Sequence, residues 1–210
     1  MPEIKAVIFD IGGVLTTSPV TAIRQYCLRA GLPHERVGPL LATHDGAWSL
    51  FEKSEISQKE FVTAFEAECR ALEIALDGWK FLEAFFGELT MRPEMLGAVR
   101  TLRGQVKLGC ITNNVARDDS RPSAITNLGE LFDVVVESAK VGMRKPDPRI
   151  YTHTCDLLGV APEHCVFLDD FGVNLKAARV LGMTTIKVDD TLSGLDELER
   201  VLGLTLRAPR

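Results

Sequence analysis

The sequence lacks both clustered positive charge and long apolar runs. It has no tract of lysines and arginines and carries a formal net charge of −5, which disfavours a nucleic-acid binder because phosphate contacts need clustered cations. No apolar run approaches the roughly 18 residues of a membrane-spanning helix. We therefore expect neither nucleic acid nor a membrane among its partners, and the sequence leaves the oligomeric state open.

The cysteines lack the spacing of a metal site or a disulfide framework. Five is an odd number, and no CxxC pair occurs among Cys27, Cys69, Cys110, Cys155 and Cys165. This usage favours buried thiols in a reducing compartment, so we expect a cytoplasmic protein. The charged residues Lys5 and Asp10 within the first apolar stretch argue against a signal peptide.

The overall amino-acid composition is that of an ordinary globular protein. Hydrophobic residues make up 46% of the 210 residues and charged residues 25%. A chain of this length buries roughly 70% of its unfolded surface on folding, so its core needs no disulfide or metal. One full domain fits, with chain left for a smaller one.

Five short runs rich in Val, Ile and Phe predict strands that are buried on both faces. They are Ile4–Phe9, Val106–Ile111, Asp133–Val136, Cys165–Leu168 and Thr185–Val188. Helical segments alternate with the later runs, beginning at Pro93, Pro148 and Gly172. This alternation predicts an α/β fold with a parallel sheet wrapped by helices. Ligands of such sheets bind beyond the carboxyl ends of the strands, where each of these runs ends in or beside a polar residue.

The segment between the first two strands is too long for a single crossover. From about Pro19 to Thr90 it reads as helix, with a capping box at Ser57 and Glu60. A second helix, rich in aromatic residues, is expected around Trp79–Phe86. We therefore expect a small helical subdomain that is inserted after the first strand and lies over the strand ends.

Two polar motifs follow the first two strands. After the first, Asp10 precedes Gly12 and Gly13, which permit a tight loop and a close backbone approach to a ligand. After the second, Thr112 and Asn113 offer a hydroxyl and an amide for an anion. Each motif also has a structural interpretation, as a turn cap at Asp10 and as an Asn-rich turn.

A third motif places two cations, Arg144 and Lys145, in a stiff loop before a helix. A lysine there can neutralise a carboxylate nucleophile and a phosphate oxygen together, and we favour Lys145 for this task. The structural alternative is a pair of exposed basic residues before a helix that Asp147 caps and Pro148 begins.

The fourth motif is the pair of adjacent carboxylates Asp169 and Asp170 at the end of a buried strand. Two such charges repel each other and are costly without a cation, and hard oxygen ligands suit Mg²⁺. An acidic helix N-terminus is the structural alternative, but it accounts for only one of the two.

The order of these motifs resembles the haloacid dehalogenase-like hydrolase superfamily over nearly the whole chain. Four stretches are similar to the N-terminal phosphatase domain of soluble epoxide hydrolases, and still more to the related domain fused to some acyl-CoA dehydrogenases. They are FDIGGVL, FDVVVES, RKPDPRIY and FLDDFGVNLKAARVLGMTTIKV. The resemblance implies a Rossmann-like core with helices on both faces, formed by residues 1–18 and 91–210. It also implies a small helical cap at residues 19–90.

The resemblance further implies a phosphatase that acts on small phosphorylated metabolites through an aspartyl-phosphate on Asp10. Thr112 and Asn113 would bind the phosphoryl oxygens, and Lys145 would balance the negative charge. The implied cofactor is Mg²⁺. Its ligands would be the Asp10 side chain, the Gly12 carbonyl and Asp170, with Asp169 and Asn174 in support.

One position departs from the pattern, because Gly12 stands where phosphatases of this superfamily usually carry an acid–base Asp. General acid–base catalysis contributes typically about 10²–10⁴-fold. Three hypotheses remain: the leaving group needs little protonation, as in sugar 1-phosphates or acyl phosphates; His44, Asp45 or a metal-linked water supplies the proton; or the domain binds a phosphorylated ligand with little or no turnover. A dehalogenase is the weaker alternative, since dehalogenases dispense with Mg²⁺ and this chain keeps both Asp169 and Asp170.

Overall fold

The computed structural model describes residues 3–87, 89–116 and 129–206. Its sheet has five strands, which lie in the order β3-β2-β1-β4-β5 with every neighbouring pair parallel. They are β1 (Ala6–Phe9), β2 (Lys107–Thr112), β3 (Val134–Glu137), β4 (Cys165–Asp169) and β5 (Thr184–Lys187). The predicted parallel α/β fold is therefore confirmed, and all the carboxyl ends meet at one edge.

Ten α-helices occur in the described residues. They are α1 (Pro19–Arg29), α2 (His34–Ala42), α3 (Ala47–Glu52), α4 (Gln58–Ala71), α5 (Gly78–Phe85), α6 (Pro93–Leu102), α7 (Ser138–Val141), α8 (Pro148–Leu158), α9 (Gly172–Val180) and α10 (Thr191–Leu202). None of these has the length and apolar character that crossing a membrane requires.

Helices cover both faces of the sheet. Along β1, Val7 and Phe9 pack into a hydrophobic cluster with side chains of α6 and α10. The alternate residues Ala6 and Ile8 pack into a second cluster with side chains of α8 and α9. Burial on both faces explains why the strands are apolar without alternation.

Helices α1–α5 form the helical insert, whose buried apolar side chains form a third hydrophobic cluster together with Val115, which follows β2. Trp48, Phe61 and Phe81 are buried in this cluster, and the Trp48 ring packs edge-to-face on both phenylalanines. The predicted capping box is present at the start of α4. There the Ser57 Oγ accepts a hydrogen bond from the Glu60 N–H (3.3 Å), and the Glu60 carboxylate accepts one from the Ser57 N–H (2.8 Å).

Candidate active site

Two neighbouring strands deliver the acidic residues to one point at the sheet edge. Asp10 follows β1, and its N–H donates to the carbonyl of Leu168 in β4 (2.9 Å). Asp169 ends β4, so the two carboxylates come from adjacent strands. Ligand oxygens of Asp10, Asp169 and Asp170 lie within 4.8 Å of one another. The sheet thus brings together the three carboxylates that the sequence singled out.

Lys145, and not Arg144, points into this acidic group. Its side chain is 1% exposed, and its Nζ lies 2.8 Å from both the Asp10 Oδ1 and the Asp169 Oδ2. Burial alone would lower the pKa of Lys145, but attraction to the two carboxylates outweighs burial and raises the pKa above its ordinary value. A permanently charged lysine therefore sits between Asp10 and Asp169.

The loop that carries Lys145 is held by Asn113 from the end of β2. The Asn113 Oδ1 accepts a hydrogen bond from the Lys145 N–H (2.8 Å), and its Nδ2 donates one to the Lys145 carbonyl (3.0 Å). Asp147 also caps α8 as expected, accepting a hydrogen bond from the Arg149 N–H (2.9 Å). The Asn113 side chain thus has a positioning task that the sequence did not reveal. Its role toward phosphate, like that of buried Thr112, stays a prediction.

Asp169 and Asp170 differ in how their oxygens are used. The Asp169 Oδ1 accepts a hydrogen bond from the Phe171 N–H (2.7 Å), its Oδ2 contacts Lys145, and the Asn174 Nδ2 lies 3.1 Å from both oxygens. In contrast, the Oδ1 of Asp170 is buried and has no hydrogen-bond partner within the described ranges. Asp170 is therefore the carboxylate whose buried oxygen still needs a positive partner.

The acidic residues fit a divalent cation. Burial raises the pKa of Asp10 to about 7 and that of Asp170 to about 6; Lys145 lowers both values, while the neighbouring carboxylates raise them. The single positive charge of Lys145 therefore does not balance the charges of three carboxylates. The donors are all oxygen atoms, which hard cations such as Mg²⁺ prefer, and the buried Oδ1 of Asp170 accepts no hydrogen bond from the described residues.

Gly13 allows the first loop to approach Asp170. Its φ is +81°, a conformation that glycine adopts without strain, and a Cβ built there would lie 2.1 Å from the Asp170 Oδ2. Gly12 has an ordinary backbone conformation, but a Cβ at Gly12 would lie 3.0 Å from the Cδ of Pro19 in α1. The first residue of the insert therefore leaves little room for a side chain at position 12.

A cavity of about 240 Å³ opens from these residues toward the helical insert. Asp10, Gly12, Thr112, Asn113, Lys145 and Asn174 line it on the core side. Most of the remaining wall is apolar and includes Val20, Ile23, Leu41, Trp48, Phe85, Phe171 and Val173. The site thus combines a charged end with an apolar chamber.

The proton donors considered from sequence are not brought to this cavity. The side chains of His44 and Asp45 are both 90% exposed, lie 2.8 Å apart from each other, and are absent from the cavity wall. The structure instead places Glu52 of α3 there, buried and 2.6 Å from Arg144. Sequence reasoning missed Glu52, whose only local signal is an acid at the end of an otherwise apolar helical turn.

Comparison with known proteins identifies the family. The family model of the haloacid dehalogenase-like hydrolases matches residues 4–182 of this chain. The chain belongs to this family. The resemblance seen in the sequence is thereby confirmed.

Curated relatives of this haloacid dehalogenase-like hydrolase include larger enzymes. It is 36% identical to bifunctional epoxide hydrolase 2 of Sus scrofa, over 97% of this chain and 40% of the relative. It is also 36% identical to acyl-CoA dehydrogenase family member 10 of Mus musculus, over 96% of this chain and 19% of the relative. The chain therefore spans less than half the length of these two relatives.

Two further matches have about the same length as this chain. The sesquiterpene phosphatase astK of Aspergillus oryzae is 30% identical, over 95% of this chain and 97% of the relative. A HAD family enzyme of Bacteroides thetaiotaomicron, solved in complex with magnesium and inorganic phosphate, has a TM-score of 0.63 at 20% identity. That alignment covers 91% of this chain and 98% of the solved chain, and it supports the shared fold.

Proposed function

We propose that this hydrolase is a Mg²⁺-dependent phosphomonoester phosphatase that forms an aspartyl-phosphate on Asp10. The observation that carries the proposal is the cluster of Asp10, which lines the cavity, with Asp169 and Asp170, together with the Lys145 Nζ that lies 2.8 Å from both Asp10 and Asp169. The sesquiterpene phosphatase of Aspergillus oryzae aligns with this chain over 97% of its own length, which supports this chemistry.

Asp10 is held in place for nucleophilic attack. Its Oδ1 accepts a hydrogen bond from the Ile11 N–H (2.7 Å) and contacts Lys145, so the orientation of the carboxylate is fixed before substrate binds. Attack on phosphorus forms the aspartyl-phosphate and breaks the ester P–O bond, and the leaving group departs with the electron pair. Water then cleaves the acyl-phosphate, which yields inorganic phosphate and restores Asp10.

The remaining polar residues stabilise the transferring group. Thr112 and Asn113 would bind its oxygens, and Lys145 would offset the charge that builds up beside Asp10. Mg²⁺ would be held by the Asp10 side chain, the Gly12 carbonyl and Asp170. Asp169 and Asn174 would support these ligands. When bound, the ion supplies positive charge to both the nucleophile and the phosphoryl oxygens.

The cavity favours a phosphomonoester with an apolar organic group. A sugar would need partners for several hydroxyls, whereas most of the wall beyond the charged end is apolar. The sesquiterpene phosphatase relative is consistent with this substrate class.

In this proposal residues 19–90 act as the cap over a core of residues 1–18 and 91–210. The five cysteines are all buried and free, which fits the proposed cytoplasmic location.

Gly12 supports one alternative, a domain that binds phosphorylated ligands with little or no turnover. No acid at position 12 faces the leaving group, so turnover should be best for leaving groups that need little protonation. A dehalogenase is less favoured, because the buried Oδ1 of Asp170, which has no hydrogen-bond partner in the described part of the chain, fits a cation that such chemistry does not use.

A panel of phosphomonoesters separates these functions. We expect phosphate release that requires Mg²⁺, stops with EDTA, and is fastest for aryl esters with acidic leaving groups. A binder would instead release no phosphate from any ester, yet gain thermal stability from ligand in the presence of Mg²⁺. Halide release from 2-haloacids without Mg²⁺ would contradict the phosphatase proposal.

A further inference from the structure

A buried ion pair in the cavity wall has no task in the proposed chemistry. The Arg144 Nε lies 2.6 Å from the Glu52 Oε2, and the two side chains are 15% and 6% exposed. Both residues line the same cavity as Asp10. Burying two charges is costly, and apolar side chains of similar size would commonly stabilise a fold as well. The charges therefore call for a functional explanation.

The pair joins the core to the helical insert. Arg144 belongs to the loop before α8, while Glu52 lies at the end of α3. The Arg144 Nη2 also donates a hydrogen bond to the carbonyl of Leu41 in α2 (3.4 Å). A single core side chain thus contacts two helices of the insert.

The same pair also connects the two ends of the cavity. Arg144 precedes Lys145, whose Nζ contacts Asp10 and whose backbone is held by Asn113. On the other side, Glu52 lies one helical turn after Trp48 in α3, and Trp48 is one of the aromatic residues of the cavity wall. The position of the apolar wall relative to the charged end therefore depends on this contact.

We propose that the Glu52–Arg144 ion pair is a positioning device that selects substrates by their organic group. It fixes the insert wall against the Lys145 loop and so sets the space for that group. The pair takes no part in the reaction at phosphorus. This inference rests on the proposed phosphatase function and names the residues that set its specificity.

The test compares substrates that differ in one property at a time. Phenyl and 4-octylphenyl phosphate differ in apolar length at nearly the same leaving-group acidity, whereas phenyl and 4-nitrophenyl phosphate differ in acidity at similar size. The variants are Glu52→Gln and the double variant Glu52→Gln/Arg144→Gln, which leaves no unpaired charge. Glu55→Gln is the matched control, because the exposed Glu55 pairs with Lys53 (2.8 Å) outside the cavity.

At pH 8 we expect KM for 4-octylphenyl phosphate to rise about 10- to 100-fold in both variants, as misplacement of a binding wall can cost that much. The values of kcat/KM for the two small esters should stay within about 3-fold of the parent protein. An equal loss on phenyl and 4-octylphenyl phosphate would overturn the proposal. So would a loss that is large for phenyl and small for 4-nitrophenyl phosphate, because Glu52 would then be a proton donor.

A binding measurement keeps this test independent of turnover. If the parent protein hydrolyses none of the three esters, the proposed function fails. The shift in thermal unfolding midpoint with Mg²⁺ and each ester still reports affinity. We expect the variants to lose the shift from 4-octylphenyl phosphate and to keep the shift from phenyl phosphate. Unchanged shifts for both esters would overturn the inference.

Discussion

The ammonium group of Lys145 lies 2.8 Å from the Oδ2 of Asp169, in a place where the lysine side chain is 1% and the aspartate side chain 0% exposed. The same ammonium group contacts the Oδ1 of Asp10 at the same distance. One buried cation thus links the ends of β1 and β4. Folding and the proposed catalysis both depend on this link.

Lys145→Met should therefore destabilise the protein as well as inactivate it. The substitution leaves Asp10 and Asp169 buried without their shared cation, and breaking a buried pair costs about 3–5 kcal/mol. Urea unfolding without Mg²⁺ measures this loss. Lys140→Met is the control, because the Lys140 side chain is 74% exposed, and an ion pair that is open to solvent in this way contributes little. Similar losses in the two variants would contradict the structural role of Lys145.

Gly13→Ala should weaken Mg²⁺ binding. Alanine at φ +81° is strained, and its Cβ would displace the Asp170 carboxylate, which lies 2.1 Å from that position. The increase in thermal unfolding midpoint with Mg²⁺ should be lost. Gly142→Ala is a matched control, since its φ is +66° and its Cβ would meet no described atom within 4 Å. If both variants keep the full response to Mg²⁺, the contact between Gly13 and Asp170 does not shape the metal site.

Gly12→Asp should restore some of the missing acid catalysis. Gly12→Asn is the matched control. Both side chains must displace Pro19, but only Asp can transfer the proton. We expect the Asp variant to exceed the Asn variant by about 10-fold or more on phenyl phosphate, and by less on 4-nitrophenyl phosphate. Equal rates on both esters would show that another group already donates the proton.

Glu52 should make stability depend on pH. Burial raises the pKa of Glu52 to about 7, although Arg144, Trp48 and Lys145 each lower it. Because the folded pKa exceeds the unfolded value, the contribution of Glu52 is full below pH 4.5 and is lost as pH rises to about 7. Between pH 5 and pH 8 the parent protein should lose about 2–3 kcal/mol relative to Glu52→Gln. Urea unfolding at both pH values measures this difference, and a constant difference would contradict the raised pKa.

The fold was largely predictable because its signals are local. Helices α6 and α8 begin at Pro93 and Pro148 as predicted, and the five strand bounds agree to within about two residues. The predicted helix at Trp79–Phe86 is α5, displaced by one residue. The candidate carboxylates were also predictable, since polar residues at parallel strand ends must meet at one edge.

Contacts between distant segments were not predictable. The pairing of Glu52 with Arg144 depends on how the insert packs on the core, and local periodicity does not encode that packing. The same holds near the C-terminus, where Leu206 is 4% exposed and its N–H donates to the Glu199 Oε1 (2.8 Å). Residues 207–210 lie outside the described part.

The central claim is that Asp10 is the nucleophile, and one substitution tests it most directly. Asp10→Asn keeps the shape of the side chain and removes the carboxylate that attacks phosphorus. With Mg²⁺ and 4-nitrophenyl phosphate, we predict that kcat falls by about 10³-fold or more relative to the parent protein. Equal rates of phosphate release from the two proteins would contradict the mechanism.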